Sequence, residues 1–113
     1  MNYNSELEIE FLGTGTSTGV PSIGCHCKVC RSKDKKDKRL RASAIVRYKG
    51  TNILIDCGPD FRQQILRASS DNLDALLLTH IHYDHVAGID DLRPYSFNHI
   101  FTIYASLEVK QQL

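Results

Sequence analysis

The stretch Thr79-His80-Ile81-His82-Tyr83-Asp84-His85 sets three imidazoles and a carboxylate within six consecutive positions. Ring nitrogens and carboxylate oxygens are the donors that zinc and manganese take. His80 and His82 lie two apart, so on an extended backbone they project to one side and can share an ion. Asp84 and His85 then point elsewhere. Neighbours facing different ways suit two divalent ions, zinc or manganese, held side by side at roughly 3.5–4 Å, as in two-metal hydrolases. Gly88 follows, where a missing side chain lets the backbone turn close to the site. Chance surface or core histidines are the alternative, but three of the chain's five histidines fall here beside an acid.

A second group is Cys25-His26-Cys27-Lys28-Val29-Cys30, a C-x-C-x-x-C array whose thiolates can wrap one tetrahedral ion but need a fourth ligand. A closed thiolate site favours structural zinc, and His26, between two cysteines, is expected to point away. The chain's four cysteines could instead form two disulfides. Three of them lie within six positions, however, and the opening residues 1–6 show neither a basic nor an apolar export signal. Metal binding in the cytoplasm is the better account. Cys57, alone after an apolar run, reads as a buried small hydrophobe.

These groups need elements to hold them. An apolar run over 73–78 leads into the histidine stretch and predicts a short buried strand ending at a loop. Residues 42–48 and 51–56 predict two strands about a tight Lys49-Gly50 turn, which delivers Asp56 to a strand end. Pro59 can open a helix whose apolar stripe is Phe61, Ile65, Leu66 and Ala68, ending near Ser69-Ser70. Residues 86–92 suggest a helix stopped by Pro94, with a strand over 100–104 beyond it. Asp90 and Asp91 are expected to solvate that helix rather than bind metal. Ser106 reads as the N-cap of an amphipathic helix bearing Leu107, Val109 and Leu113.

Upstream, Glu8-Ile9-Glu10-Phe11-Leu12 alternates like a half-exposed strand and runs into the loop Gly13-Thr14-Gly15-Thr16-Ser17-Thr18-Gly19-Val20-Pro21. The loop lacks the Gly-Lys-Ser/Thr ending of a nucleotide P-loop. It is either a plain flexible turn or a wall of the active site, with Ser17 or Thr18 near a substrate phosphate. Residues 31–41 hold seven basic side chains and two acids. RNA docking is one reading of that run; a solvated connection is favoured, because no aromatics interleave to stack bases.

With 24% charged and 42% hydrophobic residues in 113, the composition fits one globular unit, and a net charge of +1 excludes binding of polyanions by bulk charge alone. No apolar run approaches the roughly 20 residues of a spanning helix, so no membrane partner is expected.

His80-Ile81-His82-Tyr83-Asp84-His85 resembles the HxHxDH signature of the metallo-β-lactamase superfamily at every specified position. Asn52-Ile53-Leu54-Ile55-Asp56-Cys57-Gly58 is similar to that superfamily's first motif, a strand ending in an acid before a glycine turn. Together with Gly13-Thr14-Gly15, Gly19-Val20-Pro21 and the cysteine cluster, these motifs are most similar to the PhnP-like phosphodiesterases.

The resemblance implies an α/β, four-layer αββα fold of two similar halves, with residues 1–113 as a truncated N-terminal part of one domain. It implies that His80 and His82 hold one catalytic ion and that Asp84 and His85 hold the other. Later residues would complete both sites, and a late histidine would complete the zinc site of Cys25, Cys27 and Cys30. Asp56 would stand behind the ligands and orient the histidine loop. The implied reaction is metal-assisted attack of a water-derived hydroxide on the phosphorus of a ribose cyclic phosphate, a small phosphorylated substrate. RNA 3′-end processing within the same superfamily is the alternative, followed by ester, lactone or thioester hydrolysis. The last α-helical pattern is still open at Leu113, so a natural sequence continuing further is expected. The piece alone would then be a catalytically silent zinc-binding fragment, prone to self-association or exchange of elements between copies.

Overall fold

The computed structural model describes residues 6–113. All but Glu6 of the opening segment read above for an export signal lies outside them. The chain forms a five-stranded sheet in the order β1 (Glu8–Gly13), β2 (Ser43–Tyr48), β3 (Thr51–Ile55), β4 (Ala75–Leu77), β5 (Thr102–Tyr104). β1, β2 and β3 run antiparallel as a meander, whereas β3–β4 and β4–β5 pair in parallel. Three helices accompany the sheet: α1 (Phe61–Arg67), α2 (Tyr83–Val86) and α3 (Leu107–Gln112). This mixed α/β sheet is the expected fold class, and it accounts for part of the four-layer architecture.

The β2–β3 hairpin closes as anticipated. Lys49 and Gly50 have φ of 50° and 79°, the paired left-handed geometry of a type I′ turn, whose twist matches that of the flanking strands. The parallel pairing of β3 with β4 requires a crossover, which α1 supplies. Its buried face is Phe61, Gln64 and Ile65, with Ala68 packed beside them, a spacing of three, four and seven. Leu66, expected in the stripe, is instead 66% exposed, because it lies well round the helix from Phe61. Gln64 takes the inward place and satisfies itself by donating from Nε2 to the Arg41 carbonyl at 2.7 Å. Pro59 precedes the N-cap, Asp60, rather than lying in the first turn.

Leu12, Ile45, Leu54, Leu76, Leu78 and Leu92 join Phe61, Ile65 and Val109 in the core on the α1 side of the sheet. The opposite side is open. There Ile9 and Phe11 are 52% and 72% exposed, and Leu77 and Tyr104 are exposed too. Of the apolar residues in β1 only Leu12 turns inward, so the strand does not follow a simple apolar-in pattern throughout. Glu10 is the half-buried member, bonded to Arg47 at 2.7 Å and to Ser69 Oγ at 2.8 Å. The strand at 73–78 is shorter than expected, and its Leu77 faces outward.

The expected helix over 86–92 is replaced by two pieces, α2 and a 3-10 segment, Ile89–Ser96, that contains Pro94. Gly88, not Pro94, makes the break. A Cβ there would lie 2.0 Å from the Gly58 carbonyl oxygen, so the two backbones touch at that point. Ser106 caps α3 as expected, its hydroxyl accepting from the Val109 N–H at 3.2 Å, but only Val109 of that helix is buried. Among the described residues, no helix is long and apolar enough to cross a membrane.

Candidate metal centre

Parallel strands β3 and β4 end side by side, Ile55 opposite Leu77, which brings Asp56 and Thr79 together at the carboxyl edge of the sheet. Open α/β sheets place their ligands at that edge. Asp56 has a left-handed φ of 61°, a conformation that Asp tolerates better than most residues, and it is 5% exposed. Its Oδ1 accepts from the Thr79 N–H at 2.8 Å. Its Oδ2 takes the Thr79 hydroxyl at 2.7 Å and faces His85 Nδ1 at 2.7 Å. Asp56 thus stands behind the histidine loop and touches it through Thr79 and His85.

The histidine loop is stitched to the end of β3 by its backbone. Cys57 N–H donates to the His85 carbonyl at 2.8 Å, and Gly88 N–H donates to the Cys57 carbonyl at 2.9 Å. Gly58 permits this approach, since a Cβ on it would stand 2.1 Å from the Asp84 carbonyl oxygen. Cys57 is fully buried between these contacts, and burial pushes its thiol up to about 12. It behaves as the small hydrophobe expected.

The rings converge. The centroids of His80 and His82 lie 4.6 Å apart, and those of His80 and His85 lie 3.7 Å apart. His80 and His82 therefore share a side, as their spacing predicts. His85 departs from expectation: α2 starts right after His82 and turns its ring back toward His80 instead of away. Asp84 Oδ2 sits 2.8 Å from His85 Nε2. With Nδ1 of His85 engaged by Asp56, that Nε2 and the Asp84 oxygen are two acceptors in close approach, and they need a proton or a cation between them. This donor set fits a divalent metal ion.

Cys25, Cys27 and Cys30 bring their sulfurs within 4.8 Å of one another, without a disulfide. Among the described residues they form the one group of three or more metal-ligating residues that tight; the histidine group is more open. Cys27 accepts the Cys30 N–H at 3.4 Å, and this bond, with the thiols of Cys25 and Cys30, lowers its pKa to about 7. Cys30 accepts the Ser22 N–H, which draws its pKa down, but the neighbouring thiols and desolvation leave it raised overall. His26 is exposed and outside the group.

Ser17 and Thr18 are exposed on the glycine loop. The Thr18 hydroxyl donates locally to the Gly19 carbonyl at 3.0 Å, while the Ser17 carbonyl accepts from Arg41 Nε, 24 residues away, at 3.1 Å. Arg41 in turn pairs with Asp60 at 3.0 Å, which ties the loop to the segment just after Asp56-Cys57-Gly58. Sequence reasoning missed this clamp and the role of Thr79. A cavity of about 450 Å³ between α1 and the 3-10 segment, lined by Phe61, Arg62 and Tyr95 among others, takes none of its lining from the histidine stretch. The clustered imidazoles lie at the strand ends rather than there.

The chain was compared with known proteins. It is 59% identical over 99 residues to an octanoyltransferase of Porphyromonas gingivalis, covering 87% of this chain and 20% of that protein. It is 38% identical over 86 residues to a ribonuclease Z of Methanopyrus kandleri, covering 74% and 25% respectively. Among solved structures, a diphosphatase of the PhnP family superposes with a TM-score of 0.86 at 46% identity, covering 94% of this chain and 44% of that one. Zinc-bound PqqB from Methylobacterium extorquens gives 0.79 at 30% identity, covering 92% and 41%. The chain thus spans between a fifth and less than half of the proteins it matches. The model of the Beta-lactamase superfamily domain matches residues 51–113, from β3 through Asp56 and the histidine loop to α3, and the chain belongs to that superfamily.

Proposed function

We propose that the whole protein is a metal-dependent phosphodiesterase that opens a ribose cyclic phosphate. The observation that carries this reading is the convergence of His80, His82 and His85 beside Asp84, with the buried Asp56 behind them. His80 and His82 would hold one divalent ion, zinc or manganese, and Asp84 with His85 a second. Bound there, such ions supply Lewis acidity and make water a stronger nucleophile near neutral pH. The protein's own part is orientation: Asp56 holds the Nδ1 side of His85 so that Nε2 faces the site. Ser17, on the loop pinned by Arg41, would offer a hydroxyl donor to phosphate oxygens, and Thr18 would do so once its hydroxyl turns from the Gly19 carbonyl. Hydrolysis adds one water across a ring P–O bond, leaving a phosphomonoester and a free sugar hydroxyl.

Cys25, Cys27 and Cys30 would hold one structural zinc, and their unbonded thiols suit a reducing compartment such as the cytoplasm. Similarity to a PhnP-family diphosphatase supports phosphorus as the electrophile. A second reading, RNA 3′-end processing, is supported by the ribonuclease Z relative and by the basic run over 31–41. Assays of the full-length protein on a ribose cyclic phosphate, a nucleoside diphosphate and a precursor RNA separate these. Turnover of the cyclic phosphate, abolished by His82→Ala with metal content reduced, is the expected result. Unchanged turnover in His82→Ala would remove that residue from the site, and cleavage of precursor RNA alone would favour the second reading.

A further inference from the structure

Thr79 occupies an unusual place between an acid and a ring. Its hydroxyl oxygen is 2.7 Å from Asp56 Oδ2 and 3.0 Å from His80 Nδ1. A hydroxyl carries one proton. An ionised carboxylate can only accept, so that proton goes to Asp56, and the same oxygen presents lone pairs to His80. Only an Nδ1–H satisfies it there. The proton of neutral His80 is thereby fixed on Nδ1, and Nε2 keeps its lone pair. Asp56 does the same to His85 directly, since its Oδ2 lies 2.7 Å from Nδ1 of that ring.

We propose that Thr79 is a positioning residue: its hydroxyl relays the Asp56 carboxylate to His80, so that one buried acid sets the ring proton of both His80 and His85. This rests on the metal-binding reading of the two histidines and adds a residue to it. The relay matters because neutral histidine in water favours the proton on Nε2, the nitrogen that here must stay free to bind an ion. The Thr79 N–H holds Asp56 Oδ1 independently at 2.8 Å, so loss of the hydroxyl leaves the strand ends joined.

The test uses the full-length protein, metal-free and 15N-labelled at histidine, in mildly alkaline buffer. Long-range proton–nitrogen correlation reads which ring nitrogen holds the proton. In the unmodified protein His80 and His85 should both be Nδ1–H. Thr79→Val should move His80 toward Nε2–H and leave His85 unchanged, while Thr79→Ser should restore the original pattern. In competition with a chromophoric chelator, Thr79→Val should bind zinc about 10–100-fold more weakly, and Thr79→Ser should match the parent. His80 carrying its proton on Nε2 in the unmodified protein, or an unchanged His80 in Thr79→Val, would overturn the relay. If Thr79→Val does not fold, the unmodified protein and Thr79→Ser decide the matter alone. Failure of the unmodified protein to bind zinc would sink the metal reading, while the ring-proton measurement still judges the relay.

Discussion

Asp56 concentrates more of this protein's site on one carboxylate than any ligand does. It receives the Thr79 N–H and hydroxyl, faces His85 Nδ1, and is almost wholly buried. Asp56→Ala should cost about 2–3 kcal/mol in denaturant unfolding, since it strands several donors at once. The cysteine triad offers a test by pH. Folding lowers Cys27 from the ordinary 9.0 to about 7, so its thiolate, the form that binds metal, is present above about pH 7 and lost as pH falls through it. Alkylation of the metal-free protein should therefore show Cys27 reacting first with a midpoint near 7, while buried Cys57, raised to about 12, stays inert. At this scale the sequence was legible wherever a side chain announces its chemistry: type and spacing single out His80, His82, Asp84, His85 and the three cysteines, and the fold gathers them into two groups. Thr79 is not among them, because its role depends on which strand lies beside it, and no local pattern encodes the parallel register of β3 and β4.

At the scale of elements, hairpins and caps were readable because their causes are local. Lys49-Gly50 closes a type I′ turn, and Ser106 caps α3 with its own hydroxyl. The inward face of α1 and the break before the 3-10 segment were less so, because tertiary contact decides them: Gln64 is held inside by the Arg41 carbonyl, and Gly88 breaks the helix by touching Gly58. Those glycines make a direct prediction. Gly58→Ala or Gly88→Ala would put a methyl about 2 Å from a backbone oxygen, so the histidine loop must move away from β3. Each should lower the unfolding midpoint and reduce metal uptake together, whereas Gly50→Ala, with open space around it, should affect stability only through its left-handed φ of 79°. Calorimetry and metal analysis on the three variants would check the contrast.

Across the whole molecule, the sheet is covered on one side and bare on the other, where Ile9, Phe11, Leu77 and Tyr104 stand exposed. A contiguous apolar face of this kind associates in water. The 113-residue chain by itself is expected to pair with a second copy through that face, and Phe11→Ser with Ile9→Thr should shift it toward monomer in light scattering. A strictly monomeric parent chain would contradict the pairing. The backbone stitch between Cys57, His85 and Gly88 has an engineering consequence as well. It welds two sequence-distant motifs into one rigid block, so the outer face of the intervening crossover, Arg62, Gln63 and Leu66, is free for exchange, while Asp60, Phe61, Gln64 and Ile65 must stay to back the imidazoles.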